Sequence, residues 1–132
     1  MNKAKTVFSF VLLLLLITSC SLIKNILPGD RLYFIEKYSD DKEIGESKKF
    51  PAGPVTIMVR LSNPVGVSSV DINITDKATG SVVETYPFTV SSDWKDIHFD
   101  DVSFREPGKF KVSCLKKDGT VIVSGEVEIE NP

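Results

Sequence analysis

Histidine, cysteine and tryptophan are scarce in this chain of 132 residues: one, two and one respectively. With a single histidine, His98, and cysteines only at positions 20 and 114, no histidine or cysteine cluster has the spacing of a metal site. There is no glycine-rich phosphate loop and no serine inside a nucleophile motif, so neither nucleotide chemistry nor acyl transfer has a sequence signature. An excess of positive charge is also missing. Sixteen basic residues face 18 acidic ones, a formal net charge of -2, so the chain has no basic surplus for a phosphate backbone and nucleic acid is not an expected partner. Long apolar runs are absent too. The apolar run at 7–17 would span about 16 Å as a helix against about 30 Å of hydrocarbon, a poor fit for a permanent membrane span. What remains, 42% hydrophobic and 26% charged residues, is enough for one compact core and too little for two.

The N-terminus has an ordered layout: Lys3 and Lys5, the apolar run, then the small residues Thr18 and Ser19 directly before Cys20. That is the layout of a secretory signal peptide. An uncleaved signal anchor, lengthened by residues 18–23, is the alternative. Ile17-Thr18-Ser19-Cys20 resembles the lipobox of bacterial lipoproteins, in which the cysteine is alkylated with diacylglycerol, the peptide is cut before it, and the new amine is acylated in many species. The thiolate is the nucleophile that makes the thioether. Ile17 stands where leucine is usual, with Leu16 one residue further back, and this looser pattern resembles spirochaete lipoboxes.

The resemblance implies a cleaved lipoprotein signal peptide at 1–19, a lipidated cysteine and membrane-proximal tether at 20–30, and a folded domain at 31–132. Removal of 19 residues leaves 113, beginning with Cys20. The membrane is then a partner through diacylglycerol and palmitate-type chains on Cys20, and two or three chains hold where one is marginal. Without Lys3 and Lys5, 14 basic residues face 18 acidic ones, a formal -4, so anionic headgroups add no attraction. Ser21-Leu22-Ile23-Lys24 lacks aspartate, which resembles the enterobacterial pattern for the outer rather than the inner membrane. The absence of a following acidic cluster resembles spirochaete proteins that reach the surface.

The tether "LIKNILPGD" ends at Pro28-Gly29, and its nine residues reach at most about 30 Å, which keeps the domain close to the bilayer. Leu22, Ile23, Ile26 and Leu27 have two open placements, the headgroup region or the surface of their own domain. Once Cys20 carries lipid, Cys114 is the remaining thiol and no intrachain disulfide can form. Its shared parity with Phe110 and Val112 in "KFKVSC" points it into the core as a small hydrophobe, with an intermolecular or redox role as the alternative.

Beyond residue 30 the pattern is strand after strand. "RLYFIEKY" is rich in aromatic and β-branched residues, and "PVTIMVRL" sets Val55, Ile57, Val59 and Leu61 on one face against Thr56, Met58 and Arg60. "VDINIT" turns Val70, Ile72 and Ile74 inward. "VVETY" and "FTV" follow a turn at Asp76-Lys77-Ala78-Thr79-Gly80. "DIHFDDVSF" offers Ile97, Phe99, Val102 and Phe104, with a parity break at Asp100-Asp101 that predicts a bulge. Lys116-Lys117-Asp118-Gly119 between "KFKVSCL" and "TVIVSGEVEIE" predicts a hairpin. The charge of "SDDKEIGESKKF" at 39–50 favours a loop over a further strand.

Strands every 8 to 12 residues with no amphipathic helical window predict an all-β, antiparallel sandwich of about seven to eight strands. "EPGKFKV" at 106–112 resembles the late turn and strand of immunoglobulin-like or fibronectin III-like domains, and the pattern covers roughly residues 50–129. The paired cysteines of true immunoglobulin domains are missing, and Phe110 lacks the hydroxyl of a tyrosine corner. This resemblance implies an immunoglobulin-like β-sandwich more than any function.

Function is therefore expected in contact rather than catalysis. His98, between Ile97 and Phe99, points by parity away from the core and reads as a surface residue. Asp40-Asp41 and Asp100-Asp101 have the oxygens calcium wants but read as solvated turn residues, so no metal and no cofactor are expected. Asn73-Ile74-Thr75 matches a glycosylation sequon, coincidental in a bacterial lipoprotein. The candidate contacts are Asn63, Pro64 and Gly66 in "SNPVG", and Trp94 in "SSDWKD", an aromatic in a polar loop.

Three roles fit. The first is a non-enzymatic adhesion or interaction module of the envelope that binds a protein or other macromolecule. The second is a structural subunit of an envelope assembly, joined through an exposed edge strand. The third rests on Asn63, Pro64 and Gly66, which resemble the Asn-Pro loop of chagasin-like cysteine-protease inhibitors, although the threonines and the aromatic after the glycine are absent.

Overall fold

The computed structural model describes residues 28–131, so Cys20, the leader at 1–19 and most of the tether lie outside the described residues. The regular structure described is all strand, ten in number. They are β1 (Arg31–Ile35), β2 (Lys37–Ser39), β3 (Lys42–Ile44), β4 (Lys49–Pro51), β5 (Gly53–Arg60), β6 (Ser69–Asp76), β7 (Val82–Thr89), β8 (Asp96–Phe104), β9 (Gly108–Leu115) and β10 (Val121–Glu130). One sheet runs β1-β5-β8 and the other β4-β10-β9-β6-β7, with β2-β3 as a separate hairpin. Pairing is antiparallel throughout except for β4, which lies parallel to β10.

The inward faces follow the alternation. Val70, Ile72 and Ile74 of β6, Phe110, Val112 and Cys114 of β9, and Val123, Val127 and Ile129 of β10 are buried in the same cluster as Phe34, Val55, Ile57, Val59, Ile97, Phe99, Val102 and Phe104 of the other sheet. One apolar core is therefore shared by the two sheets, and its burial is the main favourable term for the fold. Aromatic pairs cross it. Phe88 packs on Phe99 with centroids 4.8 Å apart, and Phe104 on Phe110 at 5.6 Å, both in tilted geometry.

The parity break at Asp100-Asp101 is a bulge: the β5–β8 register shifts between Val55 and Ile57, and Asp101 takes φ +59°. This extra residue is what lets Ile97 and Phe99 before it, and Val102 and Phe104 after it, all face the core. The turn at 76–80 is held by the Asp76 carboxylate, which accepts from the amides of Ala78 and Thr79. The 116–120 hairpin closes through Lys116 and Gly119, with Gly119 at φ +91°.

The charged stretch at 39–50 is not a loop. β2 and β3 form a hairpin whose turn residues Asp40 and Asp41 both have positive φ, 52° and 59°, the combination of a type I′ turn. That hairpin packs over the outer side of β1 and β5, where Tyr33, Ile35 and Met58 make a second buried cluster with Tyr38 against it. Its charges serve as the fastening: Arg60 donates to Glu43 at 2.8 Å, and the Tyr33 hydroxyl donates to the same carboxylate. Burial and that hydrogen bond to Glu43 push the Tyr33 phenol up to about 12. The strand count exceeds the expected seven to eight for the same reason: "RLYFIEKY" breaks at Glu36 into β1 and β2, and β3 and β4 are added. Leu61 falls just beyond the end of β5 and is half-buried instead of lying in the row of Val55, Ile57 and Val59.

Candidate functional site at the loop end

Strand directions place one end of the molecule in a definite way. β5 and β9 finish there, β1, β6, β8 and β10 begin there, and β7 arrives there, because Arg60 pairs with Arg31 and Asp96, and Asp71 pairs with Leu115. The loops 61–68, 90–95 and 116–120 therefore lie together, and the chain comes in among them.

The sequence-selected contacts meet at this end. Pro64 has no amide hydrogen, but its neighbours are fixed from the 90–95 loop: Val65 donates to the Trp94 carbonyl and Gly66 to the Ser92 carbonyl, each at 2.8 Å. Leu61 donates to Lys95 at 2.9 Å, so three backbone bonds lock the two loops into one unit. Gly66 at φ +76° supplies the left-handed residue that this crossing requires. Val65 turns into the core at 6% exposure, which leaves Asn63, Pro64 and Gly66 on the outside. Trp94 is not a core residue; it is 47% exposed. Its backbone amide donates to Ser91, and Ser91 donates its hydroxyl to Asp93, which holds that carboxyl below the usual range.

Ser62 ties the incoming chain to the same unit. Its amide donates to Asp30 at 2.8 Å and its hydroxyl to the Pro28 carbonyl at 3.0 Å. On the other flank, the Thr120 amide donates to Asp118 at 2.9 Å and keeps the Asp118 carboxyl low. Between these loops lies a depression of about 260 Å³, lined by Asn63, Pro64, Val65, Lys116 and Val121 among others. Buried small-molecule sites usually offer about 300–1,000 Å³, so this shape suits contact with a surface better than enclosure of a ligand.

Sequence reasoning included Ser62 in the "SNPVG" loop but missed Asp30 and Val121 as neighbours of this site, since their proximity depends on the pairing of strands distant in sequence. It also missed the opposite end, where a cleft of about 420 Å³ is lined by Val83, Phe104, Arg105, Glu106 and Phe110. The adjacent valines in "VVETY" were the available signal, because a strand cannot turn two successive side chains inward. Val82 and Val83 are 61% and 55% exposed.

The remaining candidates do not line either depression. His98 is on the outer side as parity requires, stacked on Tyr38 with centroids 4.1 Å apart and with Nδ1 3.2 Å from the Asp100 carboxylate, which also accepts from Thr56. Asp40-Asp41 form the β2–β3 turn and Asp100-Asp101 the β8 bulge, and among the described residues no group of three or more His, Cys, Asp or Glu is placed to hold a metal. Cys114 is wholly buried, and desolvation pushes its thiol up to about 12. No helix among the described residues is long and apolar enough to cross a membrane.

No family model matches the chain, and no curated protein matches it. Among solved structures it is similar to the crystal structure of an endonuclease/exonuclease/phosphatase from Beutenbergia cavernae DSM 12333, at 17% identity and a TM-score of 0.32. That likeness covers 58% of this chain and 21% of the other, and carries neither fold nor activity across.

Proposed function

We propose that this chain is a lipid-anchored, non-catalytic interaction module of the bacterial envelope: an immunoglobulin-like β-sandwich held at the outer membrane by diacylglycerol on Cys20. The observation that carries this reading is the position of Cys20, behind a basic and then apolar leader and eleven residues before Arg31, where β1 begins. Support for the immunoglobulin-like arrangement comes from the strand order. β1-β5-β8 facing β10-β9-β6-β7, with β5 leading across to β6 and β7 leading back to β8, corresponds to strands A, B, E and G, F, C, C′ of such domains.

The module binds a protein or other macromolecule rather than a cofactor, with Asn63, Pro64, Gly66 and Trp94 as contacts. The small depression lined by Asn63 and Pro64 supports that class of partner. Metabolic labelling with palmitate tests the anchor. The membrane-fraction protein is expected to carry label, and Cys20→Ser to lose it; an unlabelled wild-type protein, or a labelled Cys20→Ser protein, overturns the reading.

A second reading, a structural subunit of an envelope assembly, has its own observation. Among the described residues β7 pairs on one side only and presents Val82 and Val83 to solvent, while Pro87 removes a donor from its later half, so residues 82–86 offer an open edge for strand addition. A photo-crosslinking residue at Val83 is expected to capture one defined partner in cells if this reading holds, and none if it does not.

A further inference from the structure

We infer that the loop end docks on the headgroup zone of the bilayer through Trp94, with Pro64 in the adjoining loop and Val121 on the other flank of that loop. This rests on the lipid-anchor reading and names what the loop contacts touch. Ser62 binds Pro28 and Asp30 next to Asn63, so the anchored chain comes in beside the candidate contacts and not at the opposite end. Eight residue steps separate Cys20 from Pro28, a reach of at most about 29 Å, so this end stays within that distance of the lipid surface. Confinement of that kind gives a tethered surface a high effective concentration, and a modest affinity then suffices to keep it seated.

The chemistry of the end fits its neighbour. Among the described residues five large hydrophobic side chains are exposed, and two of them, Trp94 at 47% and Val121 at 39%, are here with the exposed Pro64. An indole combines an apolar face with one N–H donor, the combination that concentrates tryptophan at membrane–water interfaces. It is also presented rigidly, since the Trp94 carbonyl accepts from Val65 and its amide donates to Ser91. The nearby loop charges balance: Asp30, Asp93 and Asp118 are matched by Lys95, Lys116 and Lys117. Docking therefore depends on the indole and not on anionic lipid, and an uncharged phosphatidylcholine surface is a sufficient partner.

Trp94 is the chain's one tryptophan, so its emission reports the contact directly. The full lipidated protein is reconstituted into phosphatidylcholine vesicles, with or without bromine near the head of the acyl chains. A residue seated about 5–10 Å into the boundary lies within contact range of those bromines, so roughly half the Trp94 emission is expected to be lost. The loss should be unchanged between about 0.1 and 1 M salt, where the screening length falls from about 10 to about 3 Å. Trp94→Phe combined with Val83→Trp moves the indole to the opposite end and should abolish the quenching. Unquenched Trp94 in protein that floats with the vesicles overturns the docking and leaves the anchor standing. Equal quenching of both tryptophan positions overturns the orientation. Wild-type protein from cells that is found to carry no lipid on Cys20, and so fails to float, overturns the anchor and the docking with it.

Discussion

Gly125→Ala is the substitution that probes how the two sheets close against each other. Gly125 lies within β10, and a Cβ built there would run into the Leu32 carbonyl of β1 far inside any real contact distance, with Leu32 Cδ2 at 3.1 Å. The nearest obstacle is backbone, so no side-chain rotation relieves it. Gly125 itself is not at positive φ, so alanine is compatible with the local backbone and should gain about 0.4–1 kcal/mol from a less flexible unfolded chain. Forcing a methyl group into a filled site costs about 1–3 kcal/mol. Because the obstacle is backbone, the cost lies at the upper end of that range, and the net expectation is a loss of about 2–2.6 kcal/mol, or a fall in Tm of roughly 10 °C for a domain of this size. Urea unfolding followed by near-ultraviolet circular dichroism measures it as a lower midpoint at unchanged slope. A Gly125→Ala protein as stable as the wild type, or more stable, would refute the close approach of β1 to β10.

Three further outcomes follow from the same structure. Cys114 should resist alkylation in the native protein at pH 8 and react fully in urea, because burial holds its thiol protonated; rapid native labelling would contradict its place in the core. Tyr33 has a folded pKa of about 12 against an ordinary value near 10, so the folded state holds that proton more tightly. Its contribution is complete below about pH 10 and is lost as pH rises through about 12; Tyr33→Phe should flatten that alkaline loss, and an identical pH profile would contradict the burial and the bond to Glu43. Papain should be unaffected by the protein, since only Asn63, Pro64 and Gly66 match the inhibitor loop; inhibition at stoichiometric concentration would restore the inhibitor role.

Half-buried strands made much of the core legible in the sequence. Alternation alone selects Val70, Ile72 and Ile74, and Phe110, Val112 and Cys114, all buried. The pair Asp100-Asp101 marked a bulge because parity had to be restored before Val102 and Phe104 could face inward. The β2–β3 hairpin was illegible for a physical reason: its Glu43 binds Arg60 on β5 and Tyr33 on β1, and composition cannot tell a charged lid from a charged loop. The same lid explains why Thr56 and Met58 are buried although they lie opposite Val55, Ile57 and Val59 on β5. At the site, "SNPVG" and "SSDWKD" were visible as loops, but their joining through Val65 and Trp94, and the arrival of Pro28 beside them, depend on pairing across long sequence separation. Trp94, the large aromatic that composition would place in a core, is outside because its neighbours Ser91 and Asp93 form a tight polar turn.

The intact mass of the protein extracted from cell membranes tests the lipid anchor most directly. A chain beginning at Cys20, heavier than its sequence by a diacylglyceryl thioether, with or without an additional N-acyl chain, is the expected result. A chain that retains Met1, or one cut elsewhere with an unmodified thiol at Cys20, would contradict the anchor and release the loop end from the bilayer.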